Sequence, residues 1–192
     1  MKKLIQQSVD ESIRAKKEFF AGNIEKIESC ASMMALTLKK GRKILLFGNG
    51  GSAADCQHIA AEFVNRFQME RRPLPAIALT TDTSIITSIG NDYSYEDIFF
   101  KQLQALGKKE DIALGISTSG NSPNVIKAMR EAKQMGLSII GFSGNKGKLK
   151  DLSDFSFCVD SNTTARIQEV HILLAHILCD LTERILFNER SI

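Results

Sequence analysis

The stretch Ile44-Leu45-Leu46-Phe47-Gly48-Asn49-Gly50-Gly51-Ser52-Ala53-Ala54-Asp55 decides the fold. A short apolar run ends in glycine and opens directly into a helical pattern, as where a buried parallel strand meets its crossover helix. The glycines let the backbone turn sharply and present its N–H groups. The helix N-terminus adds positive potential, so the loop favours an anionic or polyhydroxylated ligand. A tight strand-to-helix turn with no ligand shares this local pattern.

Moving outward, the same texture recurs at Ile112–Ile116, Ala76–Leu79, Ser138–Phe142 and Phe155–Val159, each run separated from the next by a helical pattern. Five such runs predict an α/β fold, a five-stranded parallel sheet with helices on both faces. Right-handed crossovers place every strand C-terminus on one edge, where ligands of open α/β sheets bind. Ahead of the first strand, Leu4, Ile5, Val9 and Ile13, then Ile24, Ile27, Ala31, Met34 and Leu38, recur at helical spacing. Two N-terminal helices are expected there, either covering the sheet or packing against another subunit, and subunit contact is the favoured role. A last helix is expected from about Thr163 to Phe187, with Ile167, Val170, Leu173, Leu174, Ile177, Leu178, Leu181 and Ile185 on one broad face and Gln168 and His176 on a second occupied side with Ile172 and Cys179.

A second loop follows the third strand: Ser117-Thr118-Ser119-Gly120-Asn121-Ser122-Pro123. Ser122 before Pro123 is a good N-cap and first-turn pair, but capping does not account for Ser117, Thr118 and Ser119. Several hydroxyls and backbone amides at a helix N-terminus suit a phosphate without any basic side chain. The first loop also fits a loose dinucleotide fingerprint, Gly48-x-Gly50-x-x-Ala53. The next strand ends near Asp82, later than the usual ribose-binding acid, and no second domain is present to hold an oxidoreductase substrate. No Gly-Lys-Ser/Thr follows, which excludes a Walker loop.

On the helix after the glycine loop, His58 and Glu62 are four residues apart and face the same way. His171 lies close to the apolar stripe of the last helix and reads as a core or boundary histidine, which leaves His176 as the functional candidate. An imidazole and a carboxylate over a bound sugar phosphate are what an aldose–ketose isomerisation needs, one to remove a proton beside the carbonyl and one to deliver it. Two histidines, one glutamate and one amide could also hold a divalent metal such as Zn²⁺. Gln168 and His176 stand about 12 Å apart along an ideal helix, so spacing alone leaves metal binding open.

Composition narrows the alternatives. The 192 residues carry 25 Lys+Arg against 22 Asp+Glu, dispersed rather than clustered, with no Trp and 2 Tyr. That is a poor footprint for nucleic acid. The cysteines Cys30, Cys56, Cys158 and Cys179 form no C-x-x-C pair, and three lie in apolar patterns, as expected of thiols in a reducing compartment. No segment reaches membrane-spanning length and no signal peptide is evident, so a cytoplasmic location without membrane contact is expected.

Taken together, Gly48-Asn49-Gly50-Gly51-Ser52, His58 and Glu62, Gly90-Asn91-Asp92, Gly115-Ile116-Ser117-Thr118-Ser119-Gly120-Asn121-Ser122, and Arg166-Ile167-Gln168-Glu169 with His176 resemble the phosphoheptose isomerases of the sugar-isomerase (SIS) domain family. The resemblance covers essentially the whole chain in order. It implies a single flavodoxin-like SIS domain over 1–192, with 1–40 as a helical extension used in oligomerisation and active sites at the interfaces of a homotetramer. The implied reaction converts sedoheptulose 7-phosphate to D-glycero-D-manno-heptose 7-phosphate through an enediol, the first step of bacterial heptose synthesis for lipopolysaccharide or capsule.

The same resemblance implies Glu62 and His176 as the acid–base pair. It implies one Zn²⁺ per subunit on His58, Glu62, Gln168 and His176. Substrate contacts are implied for Asn49, Gly50, Gly51, Glu62, Asn91, Asp92, Ser117, Thr118, Ser119, Ser122 and Gln168. The position before Arg166, often Asp in the family, is Ala165 here, which removes one auxiliary carboxylate. Two other SIS readings stand beside the enzyme: a sugar-phosphate sensor, and a non-catalytic relative that binds the replication initiator. Members of the latter group typically lack the Glu and the distal His, both of which this chain retains.

Overall fold

The computed structural model describes residues 1–187, so the last five positions of the expected 1–192 span lie outside the described residues. Five strands, β1 (Ile44–Gly48), β2 (Ala76–Ala78), β3 (Ile112–Ser117), β4 (Ser138–Gly144) and β5 (Phe155–Val159), form one sheet in the order β2-β1-β3-β4-β5. Every neighbouring pair is parallel. This is the flavodoxin-like order, in which the chain steps outward from β1 to β2 and returns across β1 to β3. The switch point therefore lies between the C-terminal ends of β1 and β3, where Gly48 pairs in register with Ile116. The glycine and serine loops leave the sheet side by side at that crevice.

Strand alternation divides the core into two layers. Ile44, Leu46, Ile112, Leu114, Ile116, Ile140, Phe142, Phe157 and Val159 point to one face. That face is covered by α1 (Lys2–Ala21), α2 (Ile24–Lys39), α3 (Gly51–Val64) and α8 (Thr164–Phe187). Leu45, Phe47, Ala113 and Ile139 point to the other, under α5 (Ile98–Leu106), α6 (Pro123–Gln134) and α7 (Leu149–Leu152). Each fully buried Leu, Ile or Phe contributes roughly 1.5–3 kcal/mol of transfer free energy, so both layers matter to stability. Strands β1, β3 and β4 run one or two residues past their last apolar side chain, to Gly48, Ser117 and Gly144, whereas β2 stops at Ala78, one residue short of the expected Leu79.

Between the two roles left open for the N-terminal helices, α2 covers the sheet within the chain. It lies along α8 and buries Ile27, Cys30, Ala31, Met34 and Leu38. Helix α1 packs on α8 and β5, burying Ala15 and Phe19, and leaves Leu4, Ile5, Val9 and Ile13 exposed. The short helix α4 (Thr83–Asp92) packs beside α5 with no buried residue, started by the Asp82 carboxylate, which accepts from Ile85 N at 2.9 Å.

Candidate active site

The glycine loop is built by its own backbone. Gly50 sits at φ 56°, where a side chain would be strained, and its carbonyl accepts from Ala53 N at 3.0 Å and Ala54 N at 3.2 Å to start α3. Asn49, expected at the substrate, has its amide engaged in a reciprocal pair: Nδ2 donates to Asn124 Oδ1 and Asn124 Nδ2 donates back to Asn49 Oδ1, both at 2.9 Å. The Tyr95 hydroxyl adds a third bond to Asn49 Oδ1 at 3.2 Å. Asn124 is buried and also accepts from Val125 N at 2.9 Å, so it ties the glycine loop to the start of α6.

In the serine loop, Ser117 is buried at the end of β3 and its Oγ lies 2.8 Å from Ser122 Oγ and 3.4 Å from Ser119 Oγ. Ser122 occupies the N-cap position of α6 as expected, yet its hydroxyl makes no capping bond. It turns back to Ser117, which corrects the capping role read from Ser-Pro. Thr118 presents its carbonyl to Gly144 N at 3.0 Å, pinning the loop to the end of β4. Three hydroxyls therefore cluster at the N-terminus of α6, an arrangement suited to a phosphate dianion.

The acid–base group is assembled by two helices distant in sequence. His58 and Glu62, one turn apart on α3, meet His176 of α8. His58 Nε2 lies 2.8 Å from His176 Nε2 and 3.4 Å from Glu62 Oε1, and one ligand atom from each of the three residues falls within 4.8 Å of the others. Two ring nitrogens at that distance require one to donate and the other to accept, so at least one imidazole is neutral. Burial holds the His176 pKa below its ordinary value, the neighbouring His58 adds to the depression, and Glu62 opposes it. The Phe67 ring stacks on His176 with centroids 5.5 Å apart and planes at 23°.

Gln168 stands two turns before His176 on α8, with its amide against Gly51, where a Cβ would collide with Gln168 Nε2. Gly51 is thus a glycine of close approach, and Gln168 brings α8 against the glycine loop. Asn91 and Asp92 occupy the last turn of α4, exposed and bonded to each other at 2.9 Å, and neither hydrogen-bonds to the two loops. His171 is buried as expected. Its Nε2 lies 3.2 Å from Ser143 O, and burial lowers its pKa to about 4, the bond to Ser143 opposing.

Three residues of this neighbourhood, Asn124, Phe67 and Arg71, have no signature in the sequence. Glu183 has one, a carboxylate two turns beyond His176 on the same helix.

The SIS domain family matches residues 9–144, and the chain belongs to that family. Within it the chain belongs with the phosphoheptose isomerases, a class of sugar-phosphate isomerase. The phosphoheptose isomerase of Nitratidesulfovibrio vulgaris strain Hildenborough is 56% identical over 187 residues, covering 97% of this chain and 90% of that protein. That of Clostridium acetobutylicum is 50% identical, covering 99% of this chain and 98% of the relative. The solved structure of a phosphoheptose isomerase from Francisella tularensis superposes with a TM-score of 0.91 at 40% identity, covering 95% of this chain and 97% of that one.

Proposed function

We propose that this protein interconverts sedoheptulose 7-phosphate and D-glycero-D-manno-heptose 7-phosphate, supplying heptose for lipopolysaccharide or capsule. The observation that carries this reading is the meeting of Glu62, His58 and His176 between α3, which starts at the glycine loop, and α8. The replication-initiator and sensor readings have no use for such a cluster.

In the proposed reaction the serine loop takes the phosphate through Ser117, Thr118, Ser119 and Ser122. The glycine loop with Asn49, Gly50 and Gly51, together with Gln168, Asn91 and Asp92, addresses the sugar hydroxyls. One member of the Glu62/His176 pair takes the proton from C1 of the ketose and returns it to C2. The other moves a proton between the oxygens of C1 and C2, so that the enediol forms and collapses with no net change in atoms. A neutral His176, favoured by its burial, is able to accept a proton at Nε2.

The cluster also fits Zn²⁺: two imidazole nitrogens and a carboxylate oxygen converge from two rigid helices, a donor set typical of catalytic zinc. His58, Glu62 and His176 would hold the ion, with Gln168 as a fourth ligand if its amide leaves Gly51. Bound there, the metal would polarise the substrate carbonyl. The exposed apolar stripe of α1 supports assembly into a homotetramer with sites at subunit interfaces. Four unpaired cysteines support a reducing, cytoplasmic setting.

The test is incubation of metal-replete protein with sedoheptulose 7-phosphate, following the aldose by NMR beside the folded variants Glu62→Gln and His176→Ala. Conversion by the parent that both substitutions abolish is the expected result. A folded parent that converts nothing sinks the reading.

A further inference from the structure

We propose that Arg71 and Glu183 are positioning residues, a buried ion pair that clamps the segment leaving α3 onto α8 and so sets Glu62 and Phe67 against His176. The proposal rests on the isomerase reading of the His58–Glu62–His176 cluster. Arg71 Nε donates to Glu183 Oε1 at 2.7 Å, and the two side chains are only 2% and 1% exposed.

The remaining bonds of the pair tie down the end of α3 and the segment that follows it, including one from Arg71 Nη1 to the Arg72 carbonyl at 3.2 Å. From the guanidinium, Nη2 donates to the carbonyl of Glu62 itself at 2.8 Å, and Nη1 donates to the carbonyls of Phe63 at 2.7 Å and Asn65 at 3.0 Å. Glu62 and Phe63 lie in the last turn of α3 and Asn65 is its C-cap, where carbonyls lack a helical partner, and a cation there also complements the helix dipole. The Glu183 carboxylate accepts from three consecutive backbone donors, Phe67 N and Gln68 N at 2.9 Å and Met69 N at 3.2 Å. Burial pushes the Glu183 carboxyl upward, but those three donors and Arg71 together hold it below its ordinary range.

The consequences for the site follow from chain geometry. Glu62 offers its side chain to His58 and its carbonyl to Arg71, so a shift at one end moves the other. Phe67, fixed through its N–H by Glu183, is the ring stacked on His176. Glu183 stands two helical turns beyond His176 on the same helix. The clamp thus spans the two helices that supply the cluster. Reacting groups tolerate little displacement, since about 1 Å of misplacement can cost roughly 10²-fold in rate.

The experiment measures kcat and KM for sedoheptulose 7-phosphate, together with Tm, in Glu183→Gln, Arg71→Lys, Phe67→Leu and the double variant Arg71→Met/Glu183→Leu. Replacing both members of a buried pair by apolar residues is often neutral for stability, so the double variant guards against simple unfolding. For all four, kcat is expected to fall roughly 10- to 100-fold, the range seen when the supports of reacting groups are removed, while KM stays within about twofold. A pair that serves only folding would lower Tm in the single variants and leave kcat per folded molecule unchanged in the double variant and in Phe67→Leu. That outcome overturns the proposal. A parent that does not isomerise the substrate overturns the functional reading instead. The clamp is then judged by crystal structures of the parent and Glu183→Gln, where an unmoved Phe67 and unchanged His58–His176 separation would overturn it.

Discussion

The serine loop and the histidine cluster solve different problems with different parts of the chain. The loop is local: Ser117, Ser119 and Ser122 come from one short stretch after β3, and their hydroxyls bond chiefly to one another and to that loop's backbone. The cluster is not: His58 and His176 are 118 positions apart, and they meet only because α3 and α8 pack on the same face of the sheet. A phosphate is recognised by backbone donors that any strand-to-helix turn supplies. Proton transfer instead needs side chains at fixed separation, which rigid helices provide better than a loop.

If that contrast is right, the largest effect belongs to the cluster. Glu62→Gln and His176→Ala are each expected to lower kcat by about 10²–10⁴ with little change in Tm, as loss of a positioned acid or base does. Comparable losses from a serine-loop variant would erase the distinction.

Next in size is a pH effect on the wall behind the cluster. The pKa of buried His171 falls from 6.5 to about 4 on folding, so below 6.5 the unfolded chain binds a proton that the native chain refuses. The stabilisation is complete above pH 6.5 and is lost as pH falls toward 4, by roughly 3 kcal/mol. Urea unfolding between pH 7 and 4 measures the slope, and in His171→Gln this share of it should vanish.

Smaller again is Asn124→Ala, which removes the reciprocal amide pair to Asn49 and leaves a buried polar group without its partner. A loss of about 1–3 kcal/mol is expected in urea unfolding, together with a raised KM as the two loops uncouple. Weakest is Ser119→Ala. This exposed hydroxyl is expected to contribute about 0.5–1.5 kcal/mol of ground-state binding, seen as KM rising with kcat unchanged. A fall in kcat there would mean that the loop does more than hold phosphate.

The boundaries of β5 are legible in the sequence to the residue, because its apolar run and the flanking polar residues mark them directly. His58 and Glu62 were legible as a pair because helical spacing alone makes them neighbours. Ser-Pro marks Ser122 as the N-cap of α6, but its local pattern does not show that the hydroxyl turns to Ser117 instead of capping the helix. Asn49 was placed at the substrate with no sign that Asn124 and Tyr95 would hold its amide.

By itself, then, the sequence determined the parallel sheet, the two anion-favouring loops and the residue types able to carry an isomerisation, since each of these depends on neighbours within a turn or a strand. Only the tertiary structure decided that α2 belongs to the core, that Gln168 lies against Gly51 while His176 meets His58, and that Arg71 and Glu183 join α3 to α8. Those contacts depend on where helices far apart in the chain settle on a shared face of the sheet. Packing sets that arrangement, and no local pattern encodes it.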